Sequence, residues 1–199
     1  CVALARANGV VYSQHNGYLP EYVEAEERYF GVTDIQRLAK MDALGPGVSL
    51  THMNVVRSAD AEVIASTGTN ALWSPLNALH RGLHLKHRCH HPQWHKAGNT
   101  VAIVSDSAME YPIGSAGLAA LFLSGAVGDR IEASAPFYMQ TIEAAKALRI
   151  DDELGSIEAG KRADIVIRAA KDMSEMPLSE SGNLLACASA MIDVDRVLV

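Results

Sequence analysis

Short apolar runs alternate with amphipathic segments over the first 150 residues, and the alternation predicts strands and helices in turn. "GVVYSQHNG" (9–17) is a β-branched run that ends in polar residues and glycine. "LPEYVEAEERYFG" (19–31) reads as a helix, with Pro20 near its start and acids in its first turns. "TDIQRLAKMDALG" (33–45) predicts another, capped by Thr33 or Asp34 and stopped by Gly45. "GVSLTHMNV" (47–55) follows as a strand, then "SADAEVIASTG" (58–68) as a helix capped by Ser58. "TNALWSP" (69–75) is a strand closed by Pro75, and residues 76–98 carry a poor helical texture. "NTVAIVSDS" (99–107) is the clearest strand, apolar enough for burial on both faces, and helices are expected at about 115–127 and 134–148.

Three or four βα units in series predict an α/β fold built on a parallel sheet with right-handed crossovers. The texture changes near residue 150, where a Gly-bounded turn and strand in "LGSIEAGKRADIVIRAA" and a closing strand in "MIDVDRVLV" place a domain boundary. The chain has 199 residues, of which 49% are hydrophobic and 20% charged, a composition that supports a full core. A formal charge of −6 favours neither nucleic acid nor an anionic membrane surface, and no apolar run is long enough for a membrane span. Three scattered cysteines (Cys1, Cys89, Cys187) argue against a disulfide framework and point to a reducing, cytoplasmic location.

Three predicted strands end in residues able to hold a metal: His15, His52 and Asp106. In a barrel of parallel strands the carboxyl ends converge on one face, so such residues meet there. Two imidazoles and a carboxylate suit a divalent metal such as zinc. Each has a plainer reading, as a hydrogen-bonded strand end or, for Asp106, as a helix cap. A second feature competes for attention. "HRGLHLKHRCHHPQWH" (80–95) holds six of the eight histidines (His80, His84, His87, His90, His91, His95) around Cys89. If helical, it would set the pairs His80/His84, His84/His87 and His87/His91 on one face.

At the strand-end residues the sequence resembles the amidohydrolase superfamily, in the branch of triazine hydrolases, guanine deaminases and cytosine-deaminase-like enzymes. "ARANGVVYSQH" is similar to the segment that presents the fifth-strand His, here His15. "LTHMNVVRSADAEVIASTGTNALWSPLN" resembles the sixth strand with its His, here His52, and the seventh strand beyond it. "AGNTVAIVSDSAM" resembles the eighth strand with its Asp, here Asp106, and "LGSIEAGKRADIVI" resembles the turn and strand of a small β-sandwich. The resemblance implies a (β/α)8 TIM barrel of which units five to eight lie in residues 1–150, with part of the sandwich in 151–199. The family's His-x-His pair does not occur here, so two further ligands are expected upstream of Cys1.

The implied chemistry is hydrolysis of a C–N bond in an amide, carbamate, urea or amino-substituted N-heterocycle by metal-bound hydroxide. One zinc ion is expected, with Fe, Co or Mn as substitutes. On the resemblance, His15 ligates the metal, His52 ligates it or bonds the hydroxide or substrate, and Asp106 is both ligand and proton carrier. The family's ring-protonating Glu is replaced by Tyr18, and its Pro-x-Ser-Asn motif is altered so that Asn77 stands one residue early. Tyr18 and Asn77 are candidate substrate contacts, and Glu21 is a further candidate for the missing acid. The 80–95 segment then becomes a loop beside the barrel mouth, with Trp94 or a histidine touching substrate. A small-molecule substrate and a homo-oligomer are expected; the alternative is an inactive scaffold that keeps the barrel.

Overall fold

The computed structural model describes residues 1–106, 115–168, 179–180 and 194–199. Four parallel strands form one sheet in sequential order: β1 (Tyr12–Asn16), β2 (Val48–His52), β3 (Asn70–Trp73) and β4 (Val101–Ile103). Helices connect them: α1 (Val2–Ala7) precedes β1, α2 (Pro20–Phe30) and α3 (Asp34–Lys40) lead to β2, and α4 (Ser58–Thr67) leads to β3. Between β3 and β4 run α5 (Pro75–His80), a 3-10 turn (Leu83–Leu85) and α6 (His91–Lys96). Beyond β4 come α7 (Ser115–Ala126), α8 (Ala135–Gln140) and α9 (Ile142–Leu148), and α8 and α9 pack on β4. The core under the sheet gathers Leu50, Met53, Ile64, Trp73, Trp94, Val101, Leu123 and Met139, all buried.

The element types follow the residue pattern, while several ends differ from it. α2 begins at Pro20 and closes at Gly31, whose φ of 72° supplies the left-handed cap. Thr33 caps α3 by accepting a hydrogen bond from the Gln36 amide, but α3 stops at Lys40, five residues before Gly45. α4 is capped by the main chain of Arg57, so Ser58 is its first residue and not its cap. The expected helix over 134–148 breaks at Thr141, whose ψ of −98° is not helical. β4 is three residues long, and the chain has left the sheet before Asp106. None of the expected pairs His80/His84, His84/His87 and His87/His91 lies on one helix, because Gly82 at φ 64° ends the first turn and α6 starts only at His91.

After residue 150 an antiparallel pair forms between β5 (Ile165–Arg168) and β6 (Val194–Leu198). The sandwich expected over 151–199 is represented among the described residues by this pair of strands alone; 169–178 and 181–193, with Cys187, lie outside them.

Candidate functional site

The pleat of β1 decides which way His15 faces. Gln14 and Asn16 alternate with it, and both donate through their side-chain amides to the Asp34 carboxylate on α3; the Gln14 bond measures 3.1 Å. Asp34 in turn is held by Arg37, whose Nε lies 3.1 Å away. With residues 14 and 16 fastened to the helix layer, His15 is turned to the opposite face of the sheet, where it is exposed.

His52 reaches the same face by a different device. Its register partner is Asn16, so regular alternation would send its side chain toward the helices. Instead His52 has φ 73° and Met53 φ 45°, left-handed values that non-glycine residues adopt at a cost of about 1–3 kcal/mol each. The His52 ring ends 4.7 Å from the His15 ring, edge to face. Main-chain bonds from Met53 N to Asn16 O (2.8 Å) and from Val55 N to Gly17 O (2.9 Å) fasten the two strand ends together.

Gly17 makes that approach possible. It has φ 54°, and a Cβ there would lie 2.7 Å from the Val55 carbonyl oxygen. Gly17→Ala is expected to destabilise the protein by about 1–3 kcal/mol and to spread His15 and Tyr18 away from His52. Chemical denaturation of the variant, together with its metal content, checks this.

Asp106 arrives from the end of β4, also left-handed at φ 66°. Its side chain is 21% exposed, and its Oδ1 lies 3.7 Å from His52 Nε2. Asn77 donates from Nδ2 to Asp106 Oδ2 at 2.5 Å and, more weakly, to the Tyr18 hydroxyl oxygen at 3.4 Å. The Asn77 Oδ1 accepts from Asn54 Nδ2 at 3.5 Å. Because one lone pair of the Tyr18 oxygen faces Asn77, the phenolic hydrogen is left to point elsewhere. The Tyr18 ring leans on His52 with centroids 4.3 Å apart. Glu21 stands exposed in the first turn of α2.

Burial sets the charge of this cluster. His52 is 1% exposed, and desolvation pulls its pKa down to about 4; Asp106 opposes the shift, while His15 and Arg81 add to it. At neutral pH the imidazole is uncharged, so the contact with Asp106 is not an ion pair. Its Nδ1 is buried without a hydrogen-bond partner. A neutral imidazole with an unsatisfied nitrogen beside a carboxylate and a second imidazole has the donor chemistry of a divalent-metal ligand. Among the described residues, however, no three His, Cys, Asp or Glu side chains are drawn together closely enough to cage an ion by themselves. The fit is that of a partial ligand set, met pairwise.

The same statement applies to the 80–95 cluster, which is dispersed. His91 is a core residue: its ring stacks on Trp73 at 5.0 Å and meets Trp94 edge-on, and burial pushes its pKa down to about 3. Cys89 is buried, its thiol pushed up to about 12 by desolvation, with Sγ 3.5 Å from His91 Nδ1. His90 stacks on Trp94 and contacts Gln93, and His84 approaches the Ala78 carbonyl.

Trp94 does not stand at the mouth as expected. It is 0% exposed, and its indole nitrogen donates to the Ala61 carbonyl of α4 at 2.9 Å. The helix α6 turns this ring inward to fill the layer behind β3 and β4. Two residues at the site were not anticipated. Asn54, two after His52, orients Asn77, and Arg81 places its guanidinium 5.2 Å from the centre of the Tyr18 ring. The only sequence signal for either was closeness to a candidate: Asn54 in "HMN" and Arg81 one turn after Asn77.

The profile of the amidohydrolase family matches residues 1–191. The chain belongs to the amidohydrolase family. A 5-methylthioadenosine/S-adenosylhomocysteine deaminase of Teredinibacter turnerae is 31% identical over 170 residues, covering 82% of this chain and 37% of that protein. The namesake enzyme of Moorella thermoacetica is 33% identical over 109 residues, 52% of this chain and 26% of its own length. Among solved structures, an adenosine deaminase from Xanthomonas campestris with bound zinc superposes with a TM-score of 0.84 at 21% identity. It is matched over 99% of this chain and 46% of its own. Atrazine chlorohydrolase from Arthrobacter aurescens, complexed with zinc, gives 0.77 at 22% identity over all of this chain and 44% of its own. These likenesses establish a TIM-barrel-like α/β fold. This amidohydrolase chain spans less than half the length of each of these proteins.

Proposed function

We propose that the whole protein is a metal-dependent hydrolase of C–N bonds in small molecules. Residues 1–150 would be units five to eight of its barrel, and 151–199 part of a β-sandwich. The observation that carries this reading is the meeting of His15, His52, Tyr18, Asn77 and Asp106 at the carboxyl ends of parallel strands, two of them, His52 and Asp106, through left-handed backbone. The zinc in structures of the same fold supports zinc as the metal.

His15, His52 and Asp106 would hold the metal, together with ligands from elsewhere in the protein. When bound, it supplies a water acidified enough to act as nucleophile at neutral pH. Asp106 would take up the nucleophile's proton and hand it to the departing nitrogen, while Asn77 fixes Oδ2 so that the carboxylate does not rotate between the two tasks. Tyr18 presents its hydroxyl hydrogen to the substrate atom that gains charge as the C–N bond breaks, either a carbonyl oxygen or a ring nitrogen. It stabilises by hydrogen bonding where a carboxylic acid would transfer a proton outright. Amides, carbamates, ureas and electron-poor amino heterocycles tolerate that substitution best.

Metal removal tests the reading. Chelator-dialysed full-length protein is expected to release no ammonia or amine from members of these classes and to recover on addition of zinc. Undiminished turnover in protein shown to be metal-free by atomic emission would end the proposal.

A further inference from the structure

We infer that Arg81 is a specificity residue that receives a carboxylate carried by the substrate. The inference rests on the hydrolase reading and adds the charge of the substrate to it. Arg81 closes α5, its amide bonded to the Asn77 carbonyl at 3.1 Å, so it stands one helical turn beyond Asn77 on the same face. That turn brings its guanidinium over the Tyr18 ring at 5.2 Å, one ring removed from His52.

Five other arginines are matched to carboxylates: Arg6 to Asp42, Arg37 to Asp34, Arg57 to Glu27, Arg88 to Asp129 and Arg162 to Glu153. Arg81 is exposed and forms no ion pair with any carboxylate among the described residues. Asp106, the carboxylate of the site among the described residues, is already engaged, with Oδ2 on Asn77 and Oδ1 facing His52. Cation–π contact with Tyr18 steadies the plane of the guanidinium and leaves its N–H edge available. A planar fork of that kind matches a carboxylate in a bidentate pair, which a lysine cannot reproduce.

The rest of the lining makes such a cation useful. The Tyr18 phenol and the Asn54 and Asn77 amides around it carry no charge to hold a substrate anion away from the metal ligands. Arg81 supplies that charge beside the Tyr18 ring. Substrates with a carboxylate close to the scissile C–N bond are therefore preferred over their neutral analogues.

The test uses full-length, zinc-loaded protein and pairs of compounds matched except for a carboxylate. N-acetylglycine is set against N-methylacetamide, and N-carbamoylglycine against methylurea. The quantity read is the ratio of kcat/KM for the charged member to that for the neutral one. For the pair that is hydrolysed, Arg81→Ala should lower this ratio by at least about tenfold, and Arg81→Lys should restore only part of it. An equal ratio in parent and Arg81→Ala, or an equal fall on both members, overturns the inference. If no pair is hydrolysed, the role of Arg81 is tested apart from the hydrolase reading. Calorimetric binding of the same compounds then decides: tighter binding of the charged members, lost in Arg81→Ala, upholds the role of Arg81. Equal binding, or none, overturns it.

Discussion

Asp106→Asn in the full-length protein should lower kcat/KM by about 10²–10⁴, the range that a positioned proton carrier contributes, while the thermal midpoint stays close to that of the parent. The fold should be indifferent because the amide keeps the shape of the carboxylate, and its oxygen can still accept from Asn77 Nδ2, now at 2.5 Å from Oδ2. The side chain is also part-exposed, so the change strands no buried group. The chemistry should not be indifferent. An amide nitrogen facing His52 neither binds a cation nor takes a proton, and metal content is expected to fall with turnover. A double variant with Asn77→Ala should lose little more than Asp106→Asn alone, since Asn77 acts by holding that carboxylate. Asp106→Asn protein with the parent's metal content and rate would remove Asp106 from the centre of the mechanism.

The parallel βα succession and the strand ends that carry the candidate site were legible in the sequence because each depends on local pattern. The βα alternation through residue 106 predicts a parallel sheet, and polar residues after apolar runs mark the ends that converge; the sequential order β1-β2-β3-β4 follows from the resemblance to a barrel, since alternation alone also fits a doubly wound sheet. What lay beyond the pattern was set by tertiary contact. Alternation alone turns His52 away from His15; only the left-handed turn at His52 and Met53, pinned by bonds to Asn16 and Gly17, reverses it. Nothing in "LTHMNV" announces that turn. The break at Thr141 and the three-residue β4 are likewise choices of packing among segments whose own pattern permits a longer element.

The histidine segment shows the same limit from the other side. Six imidazoles within sixteen residues read as a ligand cluster, because spacing records distance along the chain and not depth in the fold. Gly82 and the late start of α6 send them different ways, and the most deeply buried of them, His91, serves as a flat apolar plate between two tryptophans. Desolvation keeps it neutral, as it does His52. The cluster's contribution to the site is thus indirect: its first residues bring Arg81 to the mouth, and its last ones pack the wall behind β3.

Trp94→Ala should cost about 3–5 kcal/mol of stability, as expected for an aromatic ring deleted from a closed core. The ring is fully buried against Ala61, His91 and the strands, and it carries one satisfied hydrogen bond. Trp94→Phe should retain most of the packing. It leaves the Ala61 carbonyl short of a donor, for a loss of about 1–3 kcal/mol. Denaturant midpoints of the two variants separate the volume from the hydrogen bond. The kinetic outcome distinguishes a wall residue from a substrate contact. For Trp94→Phe, assayed well below its melting point, kcat and KM should stay close to the parent's on neutral and carboxylated substrates alike. A rise in KM confined to one substrate, with stability intact, would bring Trp94 back to the mouth. A fall in stability with unchanged KM fixes it in the layer that supports β3 and β4, where its indole nitrogen ties α6 to α4.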